Sequence, residues 1–397
     1  MGKPYKIKRH KRIYRRSAGS IVLRIVIIAA AVGILFALGW ALYTPVSNWI
    51  EQRQNRPQDN AVVGESQIQE PAESTDTEPE EESNTQQSPS SVQATAYLPI
   101  ETVADSSRLA SSLDLLKQAG YDSVMFDLKA ADGTVNYAID YQETTDARVT
   151  SASPVDLNAV VSQIKQAGLI PVASVYTFRD HLYPSADNTA ATHYKDSDFL
   201  WVDNDPQKGG KPWINPFSES GQNYIKKIVD DACAAGFEMI VLQGTQFPEG
   251  YSLDMIDYGE HANEDKNAFL KQYLQQMTEY AAQKGVDLTG FFSAANILGV
   301  DNQMYFGEAA DIVSQNTVVD FSLNVFGNGI TTDSVSIPQP AADPYNTLKT
   351  AGAAVEQALG DRNLIAFFDA EGMTAEELSA LQEEIGVSLC IIQNPPL

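Results

Sequence analysis

From residue 96 to the C-terminus, short apolar runs alternate with longer amphipathic stretches, and this alternation limits the fold more than any other feature of the chain. Short apolar runs between turn residues are typical of buried strands, and longer stretches with apolar residues every three or four positions are typical of helices. The pattern predicts eight strands, at Ala96–Ile100, Ser123–Lys129, Ile170–Phe178, Glu238–Gly244, Leu288–Ala294, Val319–Phe326, Asn363–Ala370 and Ser388–Asn394.

Strands that alternate with helices form parallel sheets, so the predicted fold class is α/β. Eight such units in about 300 residues favour a closed (β/α)8 TIM-type barrel. An open doubly wound sheet remains the alternative, because periodicity does not show whether the first and last strands pair. The predicted helices lie near Ser106–Ala119, Val155–Ala167, Ser220–Ala235, Asp265–Lys284, Met304–Gln315, Pro344–Leu359 and Thr374–Glu384.

The N-terminus has a different composition. Residues 1–24 contain nine Lys and Arg and no acid, and the 19 residues from Ile25 to Tyr43 carry no charge. At about 1.5 Å per residue an apolar helix of this length spans a bilayer. The positive-inside rule then predicts a basic cytoplasmic tail, a single transmembrane helix at residues 25–43 and an extracytoplasmic remainder at the cell membrane. A cleaved signal peptide is the alternative.

Residues 44–95 are rich in Glu, Gln, Ser, Thr and Pro, and they are predicted to form a disordered acidic linker. Residues 96–397 then form the barrel domain. The formal net charge of −25 makes nucleic-acid binding improbable, because phosphates are held mainly by Lys and Arg.

Metal and cofactor chemistry find little support in the sequence. Two cysteines and four histidines rule out a Cys-rich zinc site, and no phosphate loop or dinucleotide fingerprint occurs. No cofactor and no metal are therefore implied. A calcium ion held by loop aspartates is an open alternative, with Asp196, Asp198, Asp203 and Asp205 as its ligands.

Barrels of this kind bind ligands at the C-terminal ends of their strands. The polar residues predicted at those ends include Asp127, Lys129, Tyr176, Arg179, Asp180, Gln243, Asp369 and Glu371. Asp127 has the alternative role of pairing with Lys129 or Arg179. For Asp369 and Glu371 the alternative is that of solvated acids before a helix.

The longest connection, from residue 181 to 217, is too long for an ordinary βα loop and is rich in aromatic residues. Its rings could form a platform for sugars, with Tyr183, Tyr194, Trp201 and Trp213 as members. Alternatively, the two tryptophans fasten the loop to the barrel rim.

Four segments carry a resemblance to a known family: FDLKAADGTVNY (126–137), PVASVYTFRD (171–180), WINP (213–216) and GFEMIVLQGTQFP (236–248). They resemble motifs of a family of uncharacterised bacterial (β/α)8-barrel domains classed with the glycoside hydrolases and distantly similar to amylase-type enzymes. The resemblance covers most of residues 96–397. It implies a barrel that acts on or binds a polysaccharide or cell-wall glycan, with Lys129, Tyr176, Arg179, Asp180, Trp213 and Gln243 as substrate-binding residues.

The sequence departs from this family at two acids. Gln243 stands where the strand-four motif has Asp, and Ala295 stands where a carboxylate follows strand five. Glycoside hydrolysis normally needs two carboxyl groups, one of which donates a proton. Two readings stay open: an active hydrolase that uses Asp127, Asp369 or Glu371, or a catalytically degenerate barrel that serves as a glycan-binding or envelope-scaffold module.

Overall fold

The computed structural model describes residues 94–141 and 149–396, in which eight parallel strands form a closed barrel. Each barrel strand pairs with the next one, and the last pairs with the first. This closure confirms the (β/α)8 barrel and excludes the open sheet. The strands are β1 (Ala94–Tyr97), β2 (Ser123–Lys129), β3 (Ile170–Tyr176), β4 (Met239–Gln243), β5 (Asp287–Ser293), β6 (Asn316–Asp320), β7 (Asn363–Asp369) and β8 (Leu389–Gln393).

Long helices follow most of the strands and pack against the outer face of the barrel. A Ser, Thr or Asp side chain caps the N-terminus of each by accepting a backbone hydrogen bond in the first turn. The helices are α1 (Ser106–Gln118), α2 (Leu157–Gln166), α3 (Glu219–Ala235), α4 (Lys266–Ala282), α5 (Pro344–Leu359) and α6 (Ala375–Ile385).

The strands are buried on both faces, which explains their nearly continuous apolar sequences. One apolar layer lies between the strands and the helices. A smaller one fills the barrel interior and consists of Met125, Val172, Met239, Val241, Val318, Ile365, Phe367 and Ile391. Apolar side chains therefore fill the barrel interior as far as the strand ends at which polar residues begin.

Two predicted elements differ from the structure. β6 ends at Asp320 rather than Phe326, because Asp320 accepts a hydrogen bond from the Ser322 backbone N–H and the chain turns there. The helix predicted at 304–315 is replaced by two short turns of helix, Asn302–Tyr305 and Ala309–Ile312. Phe306 between them has a φ of 53°, which a helix does not allow.

Shorter strands and helical turns lie in the connections between the barrel strands and helices. Val135–Tyr137 pairs antiparallel with β2 and parallel with Thr150–Val155. His193–Tyr194 pairs with Ile256–Asp257, and Ile330–Thr331 pairs with Ser336–Ile337. Short helical turns occupy Ile100–Val103, Tyr183–Ala186, Pro206–Lys208, Leu253–Met255, Gly259–His261, Ala294–Ile297, Leu323–Phe326 and Pro340–Ala342.

The predicted cytoplasmic tail, the transmembrane helix at 25–43 and the linker up to residue 93 lie outside the described residues. Among the residues that are described, no helix has the length and apolar character needed to cross a membrane.

Candidate active site at the barrel mouth

The C-terminal ends of the strands bring polar side chains to one opening of the barrel, which we call the mouth. Side chains alternate between the two faces of a strand with a period of two residues. Met125, Val241, Val318, Phe367 and Ile391 pack together inside the barrel, so the residue two positions after each also faces inward. The mouth is thus lined by Asp127, Gln243, Asp320, Asp369 and Gln393, and by Tyr97, Ser174, Tyr176 and Ser293.

Asp127 is the first of three aspartates at the mouth. The Tyr97 hydroxyl donates a hydrogen bond to Asp127 Oδ2 at 2.7 Å. The other oxygen, Oδ1, is buried and has no hydrogen-bond partner in the described part of the chain. Burial raises the pKa of Asp127, and the hydroxyl groups of Ser174 and Tyr97 oppose this rise only in part. A buried carboxyl group with a raised pKa at the mouth of the barrel is a candidate proton donor.

Asp320 and Asp369 form a second acidic feature, on the adjacent strands β6 and β7. Burial raises the pKa of Asp320, and the nearby carboxylate of Asp369 raises it further. Asp369 Oδ1 accepts hydrogen bonds from Asn394 Nδ2 at 2.9 Å and from the Glu371 backbone N–H at 3.1 Å. One oxygen of Asp369 thus has two hydrogen-bond donors, so the two neighbouring acids have different surroundings.

Sequence reasoning missed Asp320, because the predicted strand ran from Val319 to Phe326 and so placed Asp320 at its beginning rather than at its end. A signal was present in the sequence. The segments VMFD, TVVD and AFFD each end an apolar run with Asp. TVVD and AFFD are the last residues of β6 and β7, and VMFD lies in β2 just before its bulge.

Tyr176 lies within electrostatic reach of the acids on both sides of the mouth. Burial, and after it the charge of Asp127, raise the pKa of Tyr176 to about 12, with Asp320 contributing and Arg179 opposing. Arg179 is exposed at the rim. Gln243 is 7% exposed and donates a hydrogen bond from Nε2 to Ser174 Oγ at 2.8 Å. The structure therefore places Tyr176, Arg179 and Gln243 at the same end of the barrel as Asp127, and their contact with a substrate stays a prediction.

Lys129 and Asp180, also predicted to bind substrate, occupy a different place. Their side chains are fully buried, and Lys129 Nζ lies 3.0 Å from Asp180 Oδ2. Lys129 also donates hydrogen bonds to the backbone oxygens of Tyr176 and Thr177, at 2.7 and 3.2 Å. The register with β3 shifts between Asp127 and Lys129, and this bulge pairs Lys129 with Val175, a residue of the outer apolar layer. The geometry thus gives the pair a structural position that a substrate does not reach.

The same ion pair explains the Asp-Gly step of the FDLKAADGTVNY segment. Gly133 has a φ of +96°, and a Cβ placed there would lie 2.2 Å from Asp180 Oδ1. That oxygen accepts hydrogen bonds from the backbone N–H groups of Leu182 and Tyr183 at 2.7 and 2.8 Å. Lys129 and Gly133 of this family-like motif therefore shape the buried ion pair below the mouth.

Three of the four rings of the predicted aromatic platform are buried, and the fourth, Tyr194, is half-buried. Trp201 and Trp213 are 0% and 1% exposed and pack against Ile256, and Tyr183 is buried as well. Trp213 Nε1 donates to Asp203 Oδ2, and Trp201 Nε1 donates to the Ser252 backbone oxygen, both at 3.1 Å. These contacts match the alternative, in which the tryptophans fasten the loop, and they leave the Trp213 ring buried rather than facing the mouth.

Glu371, the third predicted catalytic acid, is exposed in the turn that leads to α6. Its contact with the mouth is the hydrogen bond from its backbone N–H to Asp369. A side chain in that position matches the solvated alternative. Ala295 is buried in the short helix that follows β5, so a methyl group occupies the second family position.

The four loop aspartates do not form the calcium site left open by the sequence. Within residues 94–141 and 149–396, no group of three or more His, Cys, Asp or Glu side chains could hold a metal ion. Asp203 instead accepts hydrogen bonds from the Lys211 backbone and from Trp213.

A cavity of about 620 Å³ opens at the opposite end of the barrel, beside residues such as Thr95, Leu288 and Leu389. None of the residues predicted for the site lines it. We place the candidate site at the mouth, because the aspartates and tyrosines with raised pKa values are there and not at this cavity.

Three solved structures are similar to parts of this chain. A hypothetical protein from Ruminiclostridium thermocellum is 20% identical, with a TM-score of 0.42. The matched region covers 49% of this chain and 96% of that protein's chain. The uncharacterized protein lmo2446 from Listeria monocytogenes is 12% identical, with a TM-score of 0.49, over 77% of this chain and only 28% of its own. The catalytic domain of a β-amylase from Paenibacillus polymyxa is 12% identical, with a TM-score of 0.45, over 76% of this chain and 92% of its own.

No curated protein matches the sequence. The family described as "Putative glycosyl hydrolase domain" matches residues 95–367. The match includes Asp127, Gln243 and Asp320 and ends before Asp369 and Glu371. Since it spans more than half of the chain, the protein belongs to this family of glycosyl hydrolase-like barrel domains.

Proposed function

We propose that the barrel binds a polysaccharide at its mouth and hydrolyses it, with Asp127 as the proton donor and Asp369 as the second carboxyl group. The observation that carries this proposal is the arrangement of three aspartates, on β2, β6 and β7, around one opening of a glycosyl hydrolase-family barrel. Acids from different strands can stand on both sides of a bound sugar, which is the requirement of glycoside hydrolysis.

The two roles follow from the surroundings of each acid. Asp127 has a raised pKa and can donate its proton to the glycosidic oxygen as the bond to the anomeric carbon breaks. Asp369 is held in position by hydrogen bonds from Asn394 and from the Glu371 backbone. It stabilises the positive charge that develops on the sugar ring. Water supplies the hydroxyl group of the new reducing end, and its remaining proton restores the protonated acid over the complete cycle.

The other residues of the mouth position the substrate. Tyr176, Arg179 and Gln243 supply hydrogen-bond donors and acceptors of the kind that sugar hydroxyls need. Asp320, whose raised pKa favours its protonated form, can donate a hydrogen bond beside Asp369 without adding a second negative charge. Glu371 has no role in this proposal beyond its backbone contact.

The N-terminal sequence supports a location for this activity. The basic residues 1–24 and the apolar run 25–43 would anchor the chain with its N-terminus in the cytoplasm. The acidic segment 44–95 would then hold the barrel outside the cell membrane. The substrate is accordingly a polysaccharide of the cell envelope or the surroundings.

A second function is favoured by Gln243 and Ala295, the uncharged residues at the two acidic positions of the family. A Gln side chain can hydrogen-bond a sugar hydroxyl but cannot donate a useful proton or attack an anomeric carbon. The barrel would then be a glycan-binding or scaffold module that has lost hydrolysis.

Release of reducing ends from uncharged and charged polysaccharides and from purified cell walls, by the full chain in mild detergent, tests the proposal. We expect Asp127→Asn and Asp369→Asn to abolish release while retaining binding. Asp114→Asn, which changes an exposed acid on α1, is the matched control and should keep full activity. Binding without release by the wild-type chain would select the second function, and neither binding nor release would refute both.

A further inference from the structure

Two aromatic side chains at the mouth end of the barrel are far more exposed than the tryptophans beneath them. Phe199 is 80% exposed and Tyr251 is 63% exposed. We call them the outer aromatic pair. They belong to the long loops that follow β3 and β4, and so to the end of the barrel at which the mouth opens.

The two loops form one body, held together by hydrogen bonds and a small core. His193–Tyr194 pairs with Ile256–Asp257. The Tyr251 backbone N–H donates to the Asp203 oxygen at 2.8 Å, and Trp201 Nε1 donates to the Ser252 oxygen. Trp201, Trp213 and Ile256 are buried between the loops. The two exposed rings therefore lie on loops that hydrogen bonds and a buried core hold together.

The backbone around Tyr251 is strained. Gly250 has a φ of +124°, and a Cβ there would lie 2.3 Å from the Asp203 oxygen. Ser252, on the other side, has a φ of +55°, which costs a non-glycine residue free energy. The chain thus accepts an unfavourable conformation at Ser252, next to a tyrosine whose ring is exposed, and the position before that tyrosine has room only for glycine. Such local strain is characteristic of positions that serve a binding function.

The charges around the pair restrict what could bind. Between residues 244 and 265 the loop after β4 has six acidic residues and no Lys or Arg, and residues 181–217 add five acidic residues against three lysines. An anionic polymer would be repelled from this end of the barrel. A flat, apolar ring face instead fits the C–H face of an uncharged pyranose.

We infer that Phe199 and Tyr251 form an outer subsite that stacks on sugar rings of an uncharged polysaccharide whose chain extends beyond the mouth. The inference rests on the proposed function, and it specifies the substrate as a long, uncharged glycan. A short oligosaccharide that fills the mouth alone does not touch the pair. A protein partner on the same rings is the competing occupant.

The test is a co-sedimentation assay of the full chain with insoluble uncharged polysaccharides, paired with titration of a trisaccharide of the same sugar. For the double variant Phe199→Ala/Tyr251→Ala we expect affinity for the polymer to fall by about tenfold, the size expected for stacked rings, while trisaccharide affinity is unchanged. Phe199→Tyr/Tyr251→Phe keeps both rings and should bind as the wild type does. Leu115→Ala removes an exposed apolar side chain from α1 and is the matched control.

Three outcomes would overturn the inference. If the double variant binds polymer like the wild type while Asp127→Ala does not, the mouth is the whole glycan site and only the outer subsite fails. If the double variant also loses the trisaccharide, with its melting temperature unchanged, the pair belongs to the mouth. If the wild-type chain binds no polysaccharide, the proposed function fails together with the inference.

Discussion

Asp180→Asn tests whether the buried ion pair below the mouth stabilises the barrel. The substitution removes the charge that faces Lys129 Nζ across 3.0 Å. An amide oxygen can keep both hydrogen bonds from the backbone of Leu182 and Tyr183. The loss is therefore that of the charge interaction, with Lys129 left buried and uncompensated.

The magnitude follows from the geometry. Two unit charges 3.0 Å apart at an effective dielectric constant of about 20 attract by about 5.5 kcal/mol, and removing one member of a buried pair typically costs about 3–5 kcal/mol. For a domain of about 300 residues the unfolding entropy is about 0.6 kcal/mol per kelvin, so we expect the melting temperature to fall by about 5–8 °C.

Calorimetry as a function of pH gives a second readout. Burial lowers the pKa of Lys129 below its usual value, and without Asp180 the main opposing charge is gone. Between the folded and unfolded pKa values of Lys129 the unfolded chain binds more protons, so the stability of Asp180→Asn should rise as pH rises through the lowered pKa. The double variant Lys129→Met/Asp180→Asn should lose less than the sum of the single losses. Additive losses, or an unchanged melting temperature in Asp180→Asn, would refute a structural ion pair.

Three further predictions concern single residues. Gly133→Ala should destabilise the barrel by about 3 kcal/mol or more, because its Cβ displaces Asp180, whereas Gly120→Ala, with a similar φ of +89° and open space, should cost only about 1–2 kcal/mol in the same thermal melts. Asp320→Asn should be more stable than the wild type at pH 7, because a carboxyl with a raised pKa loses stability as pH rises through that pKa; the difference, measured by calorimetry, should shrink on acidification. Hydrolysis should decline as pH rises through the raised pKa of Asp127, and a rate that increases across that range would contradict its role as proton donor.

The sequence predicts the barrel well because strand and helix periods are local properties. Buried strands such as β2 and β7 are marked by their own apolar runs, and the glycines after the helices mark where helices stop. The positions of Asp127 and Gln243 at the mouth follow directly from these strand ends.

The direction in which a side chain points near or beyond a strand end could not be predicted in the same way. Strict alternation places Lys129 on the same face as Asp127, and the bulge between them reverses this. No residue pattern distinguishes the buried Trp213 from the exposed Tyr251, because their burial depends on how two long loops pack together. Asp320 was missed through an error of a few residues in one strand boundary.

The most direct test of the account is a crystal structure of the full chain with Asp127→Asn, soaked with the oligosaccharide that the wild type binds best. We expect a sugar ring at the mouth, within hydrogen-bond distance of residue 127 and Asp369 and in contact with Tyr176. A sugar bound only elsewhere, such as in the cavity at the opposite end of the barrel, or a mouth without sugar, would contradict it.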